Sequence, residues 1–302
     1  MNVDVKRNLL ITDLDNTLWD WFDAWYESFS ALLLGLTQIT GIDQKTLESE
    51  IKSVHRLRGT TEYSNLVNEV PCLKQFAQKK RQRCASLYDS ALHAQSKARI
   101  KHTKLYPGVI ETLKCLKENG FRIVAYTESG AFWTRWRIKR TGLDGLIDVL
   151  YSAPDHDLVA GVRLDQLRTG KYTNESYELE HTKICETKID RFKPNSEILK
   201  KIMDEQGRKP EECAYLGDSL MKDIAMAQES GVLDIHAAYG EAQKKEEYDL
   251  LRRVTHWSDE TVKREKELSA GKRIVIPNYT CKESISEIIP ILVAGEQTGS
   301  KS

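Results

Sequence analysis

The stretch NLLITDLDNTLWD, residues 8–20, sets two carboxylates, Asp13 and Asp15, just beyond the apolar run Leu9-Leu10-Ile11. An apolar run this short reads as a buried strand, and the acids stand where it should end. Like charges that close repel, and charge beside a core is costly unless something neutralises it. The pair therefore asks for a counter-charge supplied from elsewhere in the chain.

Four further runs read as buried strands: Phe121–Tyr126, Val149–Ser152, Ala214–Gly217 and Asp234–Ala238. Helical patterns lie between them. Val109, Leu113 and Leu116 form one stripe closed by Gly120, and PNSEILKKIMDEQG opens on Pro194 as a first-turn residue and closes on Gly207. Strand–helix alternation of this kind predicts an α/β fold, a parallel sheet with helices on both faces, whose ligands bind at the carboxyl ends of the strands. Residues 18–103 break the alternation. They carry amphipathic patterns over Asp20–Leu34, around Leu47, Ile51 and Val54, and in one long third helix through Leu73, Phe76, Cys84, Leu87, Tyr88 and Leu92. This predicts a helical domain inserted after the first strand, with residues 1–17 and 104–302 forming the core. Residues 154–190 and 241–272 read as excursions, Ile274–Pro277 as an edge strand and Ser284–Val293 as a last helix.

In a parallel sheet the polar groups at the strand ends share one edge. Asp13 and Asp15 are joined there by Thr127-Glu128 after FRIVAY, by Lys193 before a helix start, and by Asp218 and Asp223 after AYLG. Four aspartates cannot crowd together as bare anions. A hard divalent cation is the natural partner, and an all-oxygen donor set without His or Cys favours magnesium over zinc. Lys193 and the Thr127 hydroxyl suit phosphoryl oxygens, where charge builds in phosphoryl transfer.

These segments resemble the motifs of the haloacid dehalogenase superfamily of phosphohydrolases. DLDNTL (13–18) is similar to D-x-D-x-T, YTESG (126–130) to a strand ending in Thr or Ser, KPNSEIL (193–199) to a Lys before a helix, and LGDSLMKDIAMAQESG (216–231) to G-D-x-x-x-x-D. The resemblance implies a Rossmann-like core with a helical cap at 18–103. It implies Asp13 as nucleophile through an aspartyl-phosphate and Asp15 as general acid and base, with its backbone carbonyl on the metal. It further implies Asp218 on magnesium, Asp223 in support, and Thr127, the Glu128 N–H and Lys193 on the phosphate. Asn16 stands where the family commonly has Gly, and Asn tolerates left-handed backbone. Lys188 competes with Lys193 but lacks the following Pro and helix start.

Bland readings bear on the remaining features. The aromatic set Trp19, Trp21, Phe22, Trp25, Tyr26 and Phe29 is expected to be packing, with Trp19 the exception nearest the site. His55, Arg56 and Arg58 read as a solvated basic turn rather than a leaving-group contact. Trp133 and Trp136 read as helix–sheet packing.

Composition narrows the classes. Lys+Arg and Asp+Glu balance at 45 each, which argues against nucleic acid as a bulk partner. Six scattered cysteines without a C-x-x-C pair give neither zinc spacing nor a disulfide framework and fit a reducing cytoplasm. No stretch has the length of a membrane span, and MNVDVKRNLL lacks the apolar core of a signal peptide. The expectation is a magnesium-dependent phosphatase acting on a small phosphorylated substrate, with a phosphotransferase or mutase using the same intermediate, or a silent binding protein, as alternatives.

Overall fold

The computed structural model describes residues 7–155, 174–187, 193–263 and 275–293. Among them, seven strands form one parallel sheet: β1 (Leu9–Thr12), β2 (Arg122–Gly130), β3 (Val149–Ala153), β4 (Lys183–Glu186), β5 (Cys213–Gly217), β6 (Leu233–Ala237) and β7 (Tyr279–Cys281). They lie in the order β4-β3-β2-β1-β5-β6-β7. The DLD-bearing segment thus occupies the central strand, paired with β2 through Leu9↔Arg122 and with β5 through Thr12↔Leu216. That position explains why LLIT is apolar without alternation: both faces are covered.

The two faces bury different residues. Leu10, Ile123, Ala125 and Leu216 pack beneath α6 (Val109–Glu118), α7 (Ala131–Thr141) and α11 (Ile288–Leu292). Leu9, Ile11, Val124 and Tyr215 pack beneath α8 (Ser196–Glu205) and α9 (Ala225–Glu229). The five expected strands are present. The two outer strands differ from expectation: β4 escaped because KICE is half-exposed and not an apolar run. At the other edge, Val275–Pro277 is not a strand, and β7 forms instead at Tyr279–Cys281; Ile274 lies outside the described residues. Pro194 does not open α8, because Asn195 takes the cap and accepts from Ile198 N at 3.1 Å.

Between β1 and β2 stand α1 (Trp21–Thr40), α2 (Gln44–Arg58), α3 (Pro71–Lys79), α4 (Cys84–Leu87) and α5 (Asp89–His102). The single long third helix expected here is three helices, broken where Arg81 takes a left-handed backbone at φ 53° and again at Tyr88. Their apolar faces form a separate cluster, with Phe22, Trp25, Phe29, Leu36, Leu47, Ile51, Leu73 and Tyr88 buried together. The aromatic stripe of α1 is therefore mainly packing; Trp25 and Phe29 stack with centroids 5.1 Å apart. Helices α1 and α5 meet closely at Gly35, where an added Cβ would lie 2.6 Å from the Ala91 Cβ. The chain leaves and re-enters side by side, as Tyr106 N donates to Leu18 O at 2.9 Å.

The described part of the 241–272 segment includes α10 (Tyr248–Val254), which packs on this helical cluster. The Val254 carbonyl accepts from His55 Nδ1 at 2.7 Å. Most of the 154–190 excursion, and Lys188 with it, lies outside the described residues. Among the described residues no helix is long and apolar enough to cross a membrane.

Candidate active site

The register of β1 against β5, with Thr12 opposite Leu216, brings Asp13 to the level of Gly217, one residue before Asp218. Asp13 N donates to Leu216 O at 2.8 Å, which continues the ladder one residue past the strand and fixes where the side chain emerges. After Asp218 the chain turns through Ser219 into one π-helical turn, Leu220–Ile224. That turn folds Asp223 back under Gly217, where an added Cβ would lie 2.4 Å from the Asp223 Cγ. Only glycine permits the approach. Ser219 N and the Tyr215 hydroxyl then donate to Asp223 at 3.1 and 2.9 Å. One carboxylate oxygen from each of Asp13, Asp218 and Asp223 lies within 4.8 Å of the others.

Lys193 reaches this group from the segment just before α8. Its ammonium is 2.5 Å from Asp13 Oδ1 and 2.9 Å from Asp223 Oδ1, and it sits over the Tyr126 ring at 4.9 Å. Glu128 secures this approach, because its carboxylate accepts from Lys193 N at 2.5 Å and from Lys222 Nζ at 2.7 Å. Thr127 is buried, and its hydroxyl accepts from Ser129 N at 3.1 Å.

The electrostatics reflect burial and crowding. Burial, opposed by Lys193 and reinforced by Asp223 and Asp15, pushes Asp13 up to about 7. Burial also pushes Asp218 well above the carboxylate range, helped by Asp223 and Asp13. For Lys193 burial works downward, but the two aspartates outweigh it and hold the ammonium well above its ordinary value. One ammonium does not satisfy three acids of which two, Asp13 and Asp223, are buried and the third, Asp218, is half-buried. Their donor set is oxygen alone, the chemistry of a hard divalent cation. The residues present therefore fit a magnesium-class ion.

The carboxylate of Asp15 does not join this group. Asn16 takes a left-handed backbone at φ 58°, as its residue type allows, and its side chain accepts from Phe22 N at 2.9 Å. Asp15 is thereby directed to the other side of the cleft, accepting from Trp19 Nε1 at 2.6 Å and Ser129 Oγ at 2.5 Å. Burial raises its pKa, with Arg137 opposing and Glu62 reinforcing the rise. Arg137 Nη1 is 3.8 Å from Asp15 Oδ1, and the same guanidinium pairs with Glu62, which also accepts from Trp21 Nε1 at 3.1 Å.

Sequence reading missed Arg137, Glu62, Lys222 and the Tyr215 hydroxyl. Arg137 lies in the basic run WTRWRIKR and Tyr215 inside an apolar strand, so neither carries a local signal. Trp19, the expected exception among the aromatics, does touch the site. The basic turn of α2 is engaged elsewhere: His55 is buried against Val254, Arg56 pairs with Asp259 at 2.6 Å and Arg58 with Glu69 at 2.8 Å.

Comparison with known proteins agrees with this architecture. A family model described as haloacid dehalogenase-like hydrolase matches residues 8–231. A glyceraldehyde 3-phosphate phosphatase of Methanopyrus kandleri is 27% identical over 161 residues, 53% of this chain and 54% of the relative. Pyrophosphatase PpaX of Halalkalibacterium halodurans is 29% identical over 150 residues, 49% of this chain and 53% of the relative. The chain spans about half the length of these curated relatives. Among solved structures, the HAD-hydrolase YfnB of Bacillus subtilis (14% identity, covering 95% of this chain and 99% of that one) aligns with a TM-score of 0.50. A HAD phosphatase from Thermococcus onnurineus (15% identity, covering 96% and 99%) also aligns at 0.50. At these identities the two share the fold.

Proposed function

Because the chain belongs to the haloacid dehalogenase-like hydrolases, we propose that it is a magnesium-dependent phosphomonoester hydrolase working through an aspartyl-phosphate on Asp13. The observation that carries this reading is the meeting of three carboxylates, the buried Asp13 and Asp223 and the half-buried Asp218, with the Lys193 ammonium at the carboxyl ends of β1 and β5. The curated relatives are named for phosphate and pyrophosphate hydrolysis, which supports a small phosphorylated substrate.

In the first step an Asp13 carboxylate oxygen attacks phosphorus, and the bond to the ester oxygen breaks as Asp15 protonates that oxygen. In the second, Asp15 takes a proton from water, the resulting hydroxide attacks phosphorus, and the P–O bond to Asp13 breaks to release phosphate. The Lys193 ammonium, the Thr127 hydroxyl and the Glu128 N–H hold the remaining phosphoryl oxygens. Trp19 and Ser129 keep the Asp15 carboxyl turned toward the leaving group, away from the three-acid cluster. Magnesium would be held by the side chains of Asp13, Asp218 and Asp223 and the Asp15 backbone carbonyl. When bound, it cancels the repulsion between an anionic nucleophile and an anionic phosphoryl group. Residues 18–103 act as a cap over a core formed by 1–17 and 104–302, excluding water and reading the leaving group.

Hydrolysis of p-nitrophenyl phosphate with magnesium tests the reading. Asp13→Asn, with an unchanged circular dichroism spectrum, is expected to lose activity by about 10³-fold or more. Retained turnover in that variant would overturn the nucleophile assignment.

A further inference from the structure

The strand ladder stops short of Asp218. The pairing of β5 with β6 ends at Gly217↔His236, so Asp218 stands one residue past the last rung, in a bend that leads into the π-helical turn. Where its backbone goes, its carboxylate follows. Something other than the sheet must fix that backbone if the acid is to meet Asp13 and Asp223.

A side chain from β6 does so. His236 is 4% exposed and places Nε2 3.0 Å from the Asp218 carbonyl oxygen. A carbonyl only accepts, so Nε2 carries the hydrogen and donates it. Glu241 Oε1 lies 3.5 Å from the same nitrogen and is itself paired with Lys244. That carboxylate favours the tautomer with its hydrogen on Nε2, the one that Asp218 requires.

The loop after β6 also reaches the other acid-bearing end. The Tyr239 hydroxyl donates to Thr17 O at 2.8 Å. Gly240 lies so close to Asn16 that an added Cβ would fall 1.7 Å from its carbonyl oxygen and 3.3 Å from the Asp218 Cβ. The backbone of Gly240 is therefore wedged between the DLDN turn and Asp218. Residues 236–241 touch both ends that carry the acids, yet none of them belongs to the three-acid cluster.

We propose that His236 is a positioning residue of the metal site, holding the Asp218 backbone so that its carboxylate converges with those of Asp13 and Asp223. The proposal rests on the magnesium reading of that cluster. Groups that orient a ligand from behind are worth about 10- to 100-fold in metal affinity. A histidine that merely fills the space beside β5 would leave metal affinity where it is.

Manganese is the probe, because it takes the same oxygen ligands and its free ion is counted directly by electron paramagnetic resonance. Titrated into the full chain, wild type is expected to take up manganese that magnesium displaces. His236→Phe keeps a ring and removes the N–H, and its Kd for manganese is expected to rise about 10-fold. His236→Gln returns an N–H at the reach of Nε2, and its Kd is expected within about 3-fold of wild type. A packing role predicts the opposite order, since Phe fills an apolar site better than Gln does. Thermal unfolding without metal reads that packing separately. An unchanged Kd in His236→Phe, or binding by His236→Gln as weak as by His236→Phe, would overturn the proposal. No manganese uptake by the wild type would overturn the metal reading and the proposal with it. Failure to hydrolyse any phosphomonoester, with the manganese pattern intact, would overturn the phosphatase reading and leave the proposal standing.

Discussion

Replacing Asp13 by Asn should stabilise the magnesium-free protein above mildly acid pH. Burial and the neighbouring acids carry Asp13 from 3.8 to about 7. The folded state thus holds that proton more tightly than the unfolded chain, and ionisation works against the fold. The stabilising contribution is complete below about pH 4 and is lost as pH rises through about 7. Asn mimics the protonated acid at every pH. Metal-free wild type and Asp13→Asn should therefore be near equal at pH 4 and diverge to a ceiling of about 4 kcal/mol by pH 8. In thermal unfolding that is a gap of up to roughly 10 °C for a chain this long. Buried histidines also shift the curve with pH, but they are common to both proteins and cancel in the difference. Magnesium should close most of that gap, since a ligand at 100 times its Kd adds about 3 kcal/mol to the form with the intact donor set. An Asp13→Asn protein less stable than wild type at pH 8 without metal, or stabilised equally by magnesium, would refute the crowded-carboxylate account.

Two other perturbations probe separate supports of the same structure. Gly217→Ala would set a Cβ 2.4 Å from the Asp223 Cγ, so the acid must leave its place; turnover should fall about 10²-fold with a matching rise in the magnesium needed for half activity, measured by metal titration. His55 is buried and held to about 4, so its unfolded form takes up a proton first, and the stability it allows at neutral pH is lost as pH falls from about 6.5 toward 4. His55→Phe should flatten that acid limb while costing about 1–3 kcal/mol at pH 7, because the Val254 carbonyl loses its donor; chemical denaturation at pH 5 and 7 measures both.

The legible part of the molecule is the part where one local rule decides. LLIT and AYLG are uniformly apolar because they lie inside a sheet covered on both faces, and a continuous run of that kind has few other homes. KICE and YTC hid for the converse reason: as edge strands they are half-exposed, with no periodicity to betray them. Leu73, Cys84, Leu87 and Tyr88 keep helical spacing across a break made by the backbone of Arg81, which no side-chain pattern announces, so the third inserted helix reads too long. Asp13, Lys193, Asp218 and Asp223 could be placed together because each adjoins a recognisable element. Arg137 and Glu62 could not. They are 75 positions apart, and their pairing exists only because the inserted helices lie against α7.

That pairing bears on how the two aspartates of DLD divide their work. Two residues apart in an extended segment, their side chains must leave on the same side unless the backbone turns directly after the second. Asn16 supplies the turn with its left-handed φ, and Trp19, four positions beyond Asp15, supplies the donor that draws that carboxylate aside. Asp13 is left facing Lys193 and two acids; Asp15 faces Ser129, Trp19 and a guanidinium. The two neighbouring acids are thus neutralised from different directions. Asp13 takes its counter-charge from Lys193, just before α8, and Asp15 takes its from Arg137, whose other partner, Glu62, belongs to the loop after α2. Anything that displaces that insertion therefore alters the surroundings of Asp15 while leaving the carboxylates of the three-acid cluster, which all come from the ends of β1 and β5 and the turn after β5, where they are.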